Sequence, residues 1–237
     1  MPDVHYLGHA CFRIRGRDGA VVMDPCDRSS GYDIGRPTAS VVTVSHYHAD
    51  HANTNVVRPI RERLNTFDGP GEYEVGGVLI TGVRTYHDKK RGAERGRNTV
   101  FVIHIDDMAF AHLGDLGHEL TAAQVEDIGD IDVLFVPVGG NESLNASEAV
   151  AVIAQLEPRI VIPMHYAGPQ AILDLPLDPI DRFLNEMGVK EAVFEEKLTI
   201  SSSSLPPEGS AARVVLLRPI NGSYTSPRSS KVPLSGE

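Results

Sequence analysis

No run of apolar residues in this 237-residue chain approaches the roughly 18 that would span a bilayer. The opening dozen, MPDVHYLGHACF, has neither the basic nor the apolar region of an export signal, so a soluble, cytoplasmic protein is expected. Cysteine is scarce. Cys11 and Cys26 stand alone without CxxC spacing, which favours two buried thiols over a metal site or a structural disulfide. Positive charge is also in deficit: the formal charge is −10 and no polybasic tail is present, so neither nucleic acid nor an anionic membrane surface is the default partner. There is no G-x-S-x-G elbow, and Cys11 has no evident activating partner, so no serine or cysteine nucleophile is required.

Against these absences stands one dense segment. TVSHYHADHANT, residues 43 to 54, carries His46, His48, Asp50 and His51 directly after the apolar run Val41 to Val44. On an extended loop His46 and His48 point the same way and can grip one cation, while Asp50 and His51 are placed to face a second. A divalent ion needs about four ligands, and a catalytic one keeps a position open for water, so the loop alone cannot hold two ions. His87 in RTYHD, Asp115 in HLGDLG and His165 in IPMHY make up the shortfall.

The length suits one domain with a substantial core. Two stretches share a layout. CFRIRGRDGAVVMDP reads as strand, turn and strand ending at Asp24, and NTVFVIHIDDMAFAHLGD as strand, Asp106-Asp107 turn and strand ending at Asp115. Gly76-Gly77 centres a further hairpin, and residues 53 to 64 are expected to form a short helix interrupted by Pro59. A firmer helix runs from Ala146 to Leu156, with Asn145 and Glu148 as a capping box and Pro158 beyond its end. The apolar runs Val133 to Val138 and Ile160 to Ile162 flank it as a βαβ unit; a helix over 178 to 187 and a strand near Val214 to Leu217 follow. These elements predict an α/β domain of two packed mixed sheets with helices outside. Asp24, His46, His87, Asp115 and His165 each follow a strand-like run, the place where α/β sheets gather their sites.

The combined pattern, His-x-His-x-Asp-His followed by His87, Gly114-Asp115 and His165, resembles the metallo-β-lactamase superfamily. YLGHACFRI, GPGEYEVGGV, VPVGGN and IPMHY are similar to its small-hydrolase branch, which includes the ascorbate-6-phosphate lactonase-like proteins. The resemblance implies a four-layer αβ/βα sandwich, with residues 1–219 as the hydrolase domain; residues 220–237, rich in Ser, Gly and Pro, are expected to be a flexible tail. It implies two divalent ions, zinc favoured with manganese or iron as alternatives: His46, His48 and His87 would hold one, Asp50, His51 and His165 the other, and Asp115 would bridge. Asp24 is the candidate acceptor for the second nitrogen of a ligand imidazole. Two ions about 3.5–4 Å apart lower the pKa of a shared water to about 7, so a bridging hydroxide, oriented by Asp50, is the implied nucleophile towards a small, anionic ester, lactone or phosphoester. A nuclease of the same superfamily and a non-catalytic metal-stabilised module are the alternatives; a homo-oligomer is compatible with either.

Three features keep a blander interpretation. His112 is a core histidine, a donor to the site, or the third ligand in place of His87, which is favoured. His118 either donates a proton to the leaving group or serves a structural or solvent-facing role, and the second is favoured. The loop HDKKRGAERGRN, residues 87 to 98, holds five basic residues and is either a solvated face or an attractor for an anionic substrate.

Overall fold

The computed structural model describes residues 1–141, 143–168 and 176–220. Two mixed sheets pack face to face. The first orders its strands Leu198–Thr199, Asp3–Gly8, Cys11–Arg15, Ala20–Met23, Val41–Thr43 and Asn65–Phe67. The second runs Arg213–Val214, Ile160–Met164, Val133–Pro137, Met108–His112, Arg97–Ile105, Val78–Tyr86 and Gly71–Val75. Each begins as an antiparallel meander and continues with parallel strands. From Asp3–Gly8 onward the first sheet reads antiparallel, antiparallel, parallel, parallel, and the second repeats that order from Val78–Tyr86 onward. The duplicated layout in the sequence is thus a repeated topology.

Between the sheets lies a core that includes Phe12, Ile14, Met23, Phe101, Ile103, Phe110, Phe135 and Ile162. On the outer face of the second sheet, Val100, Leu134 and Val136 pack beneath the helices that contribute Val152, Ile153 and Phe183. With apolar layers on both sides, strands such as Val133–Pro137 are buried at every position, which is why they read as continuous apolar runs. The outer face of the first sheet is covered more thinly. Val22, Val42, Cys11, Cys26 and Tyr32 cluster there beneath loops and the single-turn helices Arg28–Ser30 and Thr54–Val56. Both cysteines are buried free thiols, as the sequence suggested.

Helix Ala146–Leu156 has the expected bounds, and its capping box is complete: the Asn145 side chain accepts from Glu148 N–H and the Glu148 carboxylate from Asn145 N–H. The second expected helix is Ile180–Glu186. The hairpin turns also form, with positive φ at Asp106 and Asp107 and at Gly76 and Gly77. One expectation is corrected. Residues 53 to 64 hold only the Thr54–Val56 turn and then the extended pair Arg58–Pro59, which lies beside Thr38–Ala39. Pro59 offers no N–H and forces Arg58 out of helical geometry, so a longer helix cannot form. A helix the sequence reading passed over, Ala122–Ile128, carries its own signal in Thr121 and Gln124, which form a second capping box. The expected tail, Ile220 apart, lies outside the described residues. Among the described residues no helix is long and apolar enough to cross a membrane.

Candidate metal centre

The residues singled out from the sequence meet at one end of the sandwich. The parallel strands Val41–Thr43 and Ile160–Met164 run out into His46 and His165, Ala20–Met23 into Asp24, and Met108–His112 into Asp115. His87 follows the long strand Val78–Tyr86. Asp24 and His165 have positive φ, 42° and 52°, so the chain turns sharply at these strand ends. Gly114 does the same at φ 56°, and a Cβ there would lie 2.4 Å from both Asn98 Oδ1 and Ser45 Cβ. Asp115 is consequently carried deep, and Asn98 Oδ1 accepts its N–H at 3.1 Å.

Asp115 is the hub. Its Oδ2 lies 3.3 Å from Nε2 of His51, His87 and His165 and 3.7 Å from Nε2 of His46. Its Oδ1 is buried with no hydrogen-bond partner, as is His51 Nε2. The far sides of two rings are tied down. His51 Nδ1–H donates to Asp24 Oδ2 at 2.9 Å, and His46 Nδ1 lies 2.9 Å from Ser45 Oγ, which donates to Asp24 in turn. Asp24 also accepts Ser45 N–H at 2.7 Å, so this fully buried carboxylate orients both rings with Nε2 facing Asp115. The arrangement fits divalent cations: buried imidazole nitrogens converge on one carboxylate, and their own protons cannot satisfy every lone pair there.

Possible ligand atoms fall into groups within 4.8 Å of one another. His46, His48 and His87 form one, with His48 exposed; Asp50, His51 and His165 belong to another, together with His9. His9 was not singled out by the sequence reading, because it lies far from the histidine loop and no spacing rule links them. Its Nε2 is 3.1 Å from Asp50 Oδ2. Asp24, His46 and His51 form the third.

Electrostatics separate the rings. Burial, reinforced by the neighbouring His51, pushes His46 down to about 3, so it is neutral and ready to coordinate. For His51 burial acts in the same direction, but Asp115 and Asp24 outweigh it and raise its pKa, so a cation bound here must displace a proton. Burial likewise opposes ionisation of Asp115, yet His165 and His51 hold it well below the carboxylate range.

His112 stands apart. It is buried, with Nε2 2.9 Å from Ala10 O and Nδ1 accepting Gly114 N–H at 3.2 Å, so main-chain groups use both ring nitrogens. His118 accepts Tyr86 N–H through Nε2 at 3.2 Å, and its Nδ1 lies 2.6 Å from Glu119 O, a bracing role. The basic loop folds around Asp88, whose carboxylate accepts the N–H groups of Lys90, Gly92, Glu94 and Arg95. Lys89 pairs with Glu148 and Lys90 with Glu94, and all five basic side chains of the loop are exposed.

Comparison with known proteins agrees with this geometry. Residues 3–165 match the beta-lactamase superfamily domain. A UPF0173 metal-dependent hydrolase of Pyrococcus horikoshii is 29% identical over 195 residues, covering 70% of this chain and 85% of its own. A crystal structure from Thermotoga maritima, described as a candidate Zn-dependent hydrolase of the metallo-β-lactamase superfamily, is 36% identical with a TM-score of 0.72, covering 92% of this chain and 99% of that one. A candidate metal-dependent hydrolase from Parabacteroides distasonis, 15% identical with a TM-score of 0.62 over 92% of each chain, shares the fold. The chain therefore belongs to the β-lactamase superfamily, with the metallo-β-lactamase fold, among that superfamily's metal-dependent hydrolases.

Proposed function

We propose that the protein is a dinuclear hydrolase acting on a small, anionic ester, lactone or phosphoester. The observation that carries this reading is the convergence of four imidazole Nε2 atoms on one oxygen of Asp115. In it His46, His48 and His87 would hold one ion and Asp50, His51 and His165 the other, with Asp115 shared between the two groups. Zinc suits a site this rich in imidazole, and manganese or iron is the alternative for its carboxylates. Such ions supply Lewis acidity and water ionised near pH 7.

The chain's own residues do the remaining work. Asp24 fixes His51 directly and His46 through Ser45, which keeps their Nε2 lone pairs aimed and costs no reorganisation during turnover. Asp50, half-buried, would orient the attacking water through a carboxylate oxygen. The exposed guanidinium groups of Arg91, Arg95 and Arg97, on the loop that begins at His87, support the anionic preference by placing positive charge beside the site of an acidic protein.

Metal analysis of protein purified without added metal, followed by a screen of phosphodiesters, lactones and thioesters against neutral analogues at low and high salt, tests the reading. Two equivalents and metal-supported turnover of an anionic substrate, weakened by salt, are expected. Saturation at one equivalent would overturn the dinuclear part; turnover indifferent to substrate charge would overturn the anionic part.

A further inference from the structure

His9 ties together two residues that approach the site from different ends of the chain. Its side chain lies against Asp50, its Nε2 3.1 Å from Asp50 Oδ2. Since an ionised carboxylate only accepts, the imidazole must donate. Its main-chain carbonyl accepts the N–H of His165 at 3.1 Å and the hydroxyl of Tyr6 at 3.0 Å. The ring itself packs on His165, with centroids 4.3 Å apart, and stands edge-on to His51 at 5.1 Å. His9 thus touches every member of the Asp50, His51 and His165 group and is bonded to two of them.

The backbone is shaped to deliver it. Pairing between Asp3–Gly8 and Cys11–Arg15 shifts register between Tyr6 and Gly8, and His9 itself has φ 57°. Gly8, at φ 132°, lies so close to Tyr32 that a Cβ would sit 2.4 Å from the ring. An irregularity of this kind at a strand end re-aims a side chain, and strain of this kind gathers at functional sites. A residue needed only for packing would be apolar, since an imidazole that is 1% exposed must be stripped of water to reach its place.

We propose that His9 is a positioning residue for one of the two metal sites: through its Nε2–H it sets the Asp50 carboxylate, and through its carbonyl it sets His165, so that both present their ligand atoms to the same ion. The proposal rests on the dinuclear reading above. His46, His48 and His87 are untouched by His9, so the two sites should respond differently to its loss.

The test measures zinc affinity at each site by competition with a chelator, with cobalt absorption as a second, spectroscopic readout of the ligand field. His9→Leu should weaken one of two equivalents by about 10–100-fold, the usual effect of removing a partner that orients a ligand, and leave the other unchanged. His9→Gln, whose amide can donate at similar reach, should restore both the affinity and the cobalt spectrum. His9→Asn guards against misfolding: asparagine tolerates positive φ, but its shorter amide falls short of Asp50, so a folded protein with one weakened site is expected. If His9→Leu keeps both affinities, the residue only packs. If His9→Gln is as impaired as His9→Leu, His9 is itself a ligand and the positioning role is wrong. A wild-type protein that takes up fewer than two equivalents overturns the dinuclear reading, and this proposal falls with it.

Discussion

Asp24 and Asp115 occupy the same place in two repeats of one topology, each just beyond the third strand of its meander, and both are buried. Their surroundings differ in one respect. Asp24 faces donors: Ser45 N–H, Ser45 Oγ–H and His51 Nδ1–H satisfy it from within the protein. Asp115 faces the opposite edges of the same kind of ring, with four Nε2 atoms around Oδ2 and no hydrogen-bond partner at Oδ1. Asp24 is complete with the protons it accepts, whereas Asp115 keeps a buried oxygen that no protein donor satisfies, the oxygen that the proposed cation centre would use. Topology placed both aspartates; the orientation of the imidazoles assigned them different tasks.

That contrast predicts a ranking. Asp115→Ala should abolish turnover and remove at least one metal equivalent, a larger loss than the ~100-fold upper range for an outer hydrogen-bond partner; elemental analysis and steady-state assays check it. Asp24→Asn should weaken metal binding by about 10–100-fold while leaving activity recoverable at high metal concentration, because it loosens His51 and His46 without removing a ligand. Equal damage from the two substitutions would erase the distinction drawn between them.

His112 sharpens the comparison from the other side, being a buried imidazole 3.9 Å from Asp24 with both nitrogens turned to the backbone. His112→Ala should cost about 2–4 kcal/mol of stability through a cavity and two lost hydrogen bonds. At about 2–4 °C per kcal/mol for a chain of this size, thermal unfolding will show it, with metal content unchanged. If His112→Ala loses an equivalent while His87→Ala keeps both, the ligand assignment must be exchanged.

The smallest effect concerns a third buried aspartate with no part in the site. Asp106 accepts the N-terminal ammonium of Met1 at 3.0 Å and Arg17 N–H at 2.8 Å. Burial opposes its ionisation, but these partners outweigh it and lower its pKa. Its folded pKa therefore lies below the unfolded value of about 3.9, so its contribution is present above that pH and is lost as the pH falls through the folded value. Asp106→Asn, which keeps a residue tolerant of φ 51°, should lower stability near neutrality by about 1–3 kcal/mol and flatten the acid limb of the stability curve. Denaturant titrations of the metal-free protein at pH 7, 5 and 3 would show it; a mutant curve parallel to the wild type would assign the acid loss elsewhere.

Much of this was written locally. Asn145 and Glu148 specify a helix start through bonds spanning three residues, and the continuous apolar runs at Val133 and Ile160 specify strands buried on both faces. The histidine loop packs its ligand candidates so densely that spacing alone exposes them. The break at Pro59 and the Thr121 capping box are equally local signals, each set by residues within a few positions.

His9 was beyond reach of any such signal. It is an isolated histidine in a strand-end segment, and its meaning comes from Asp50 and His165, brought to it from other elements of both sheets. Short-range chemistry, meaning caps, turns, periodicity and ligand spacing, is fixed by neighbours along the chain, and the sequence determined it. Which edge of each imidazole faces Asp115, which nitrogens of His112 are already used, and that His9 bonds to two members of one group depend on contacts between segments distant in the chain. Only the packing of one sheet on the other could decide them.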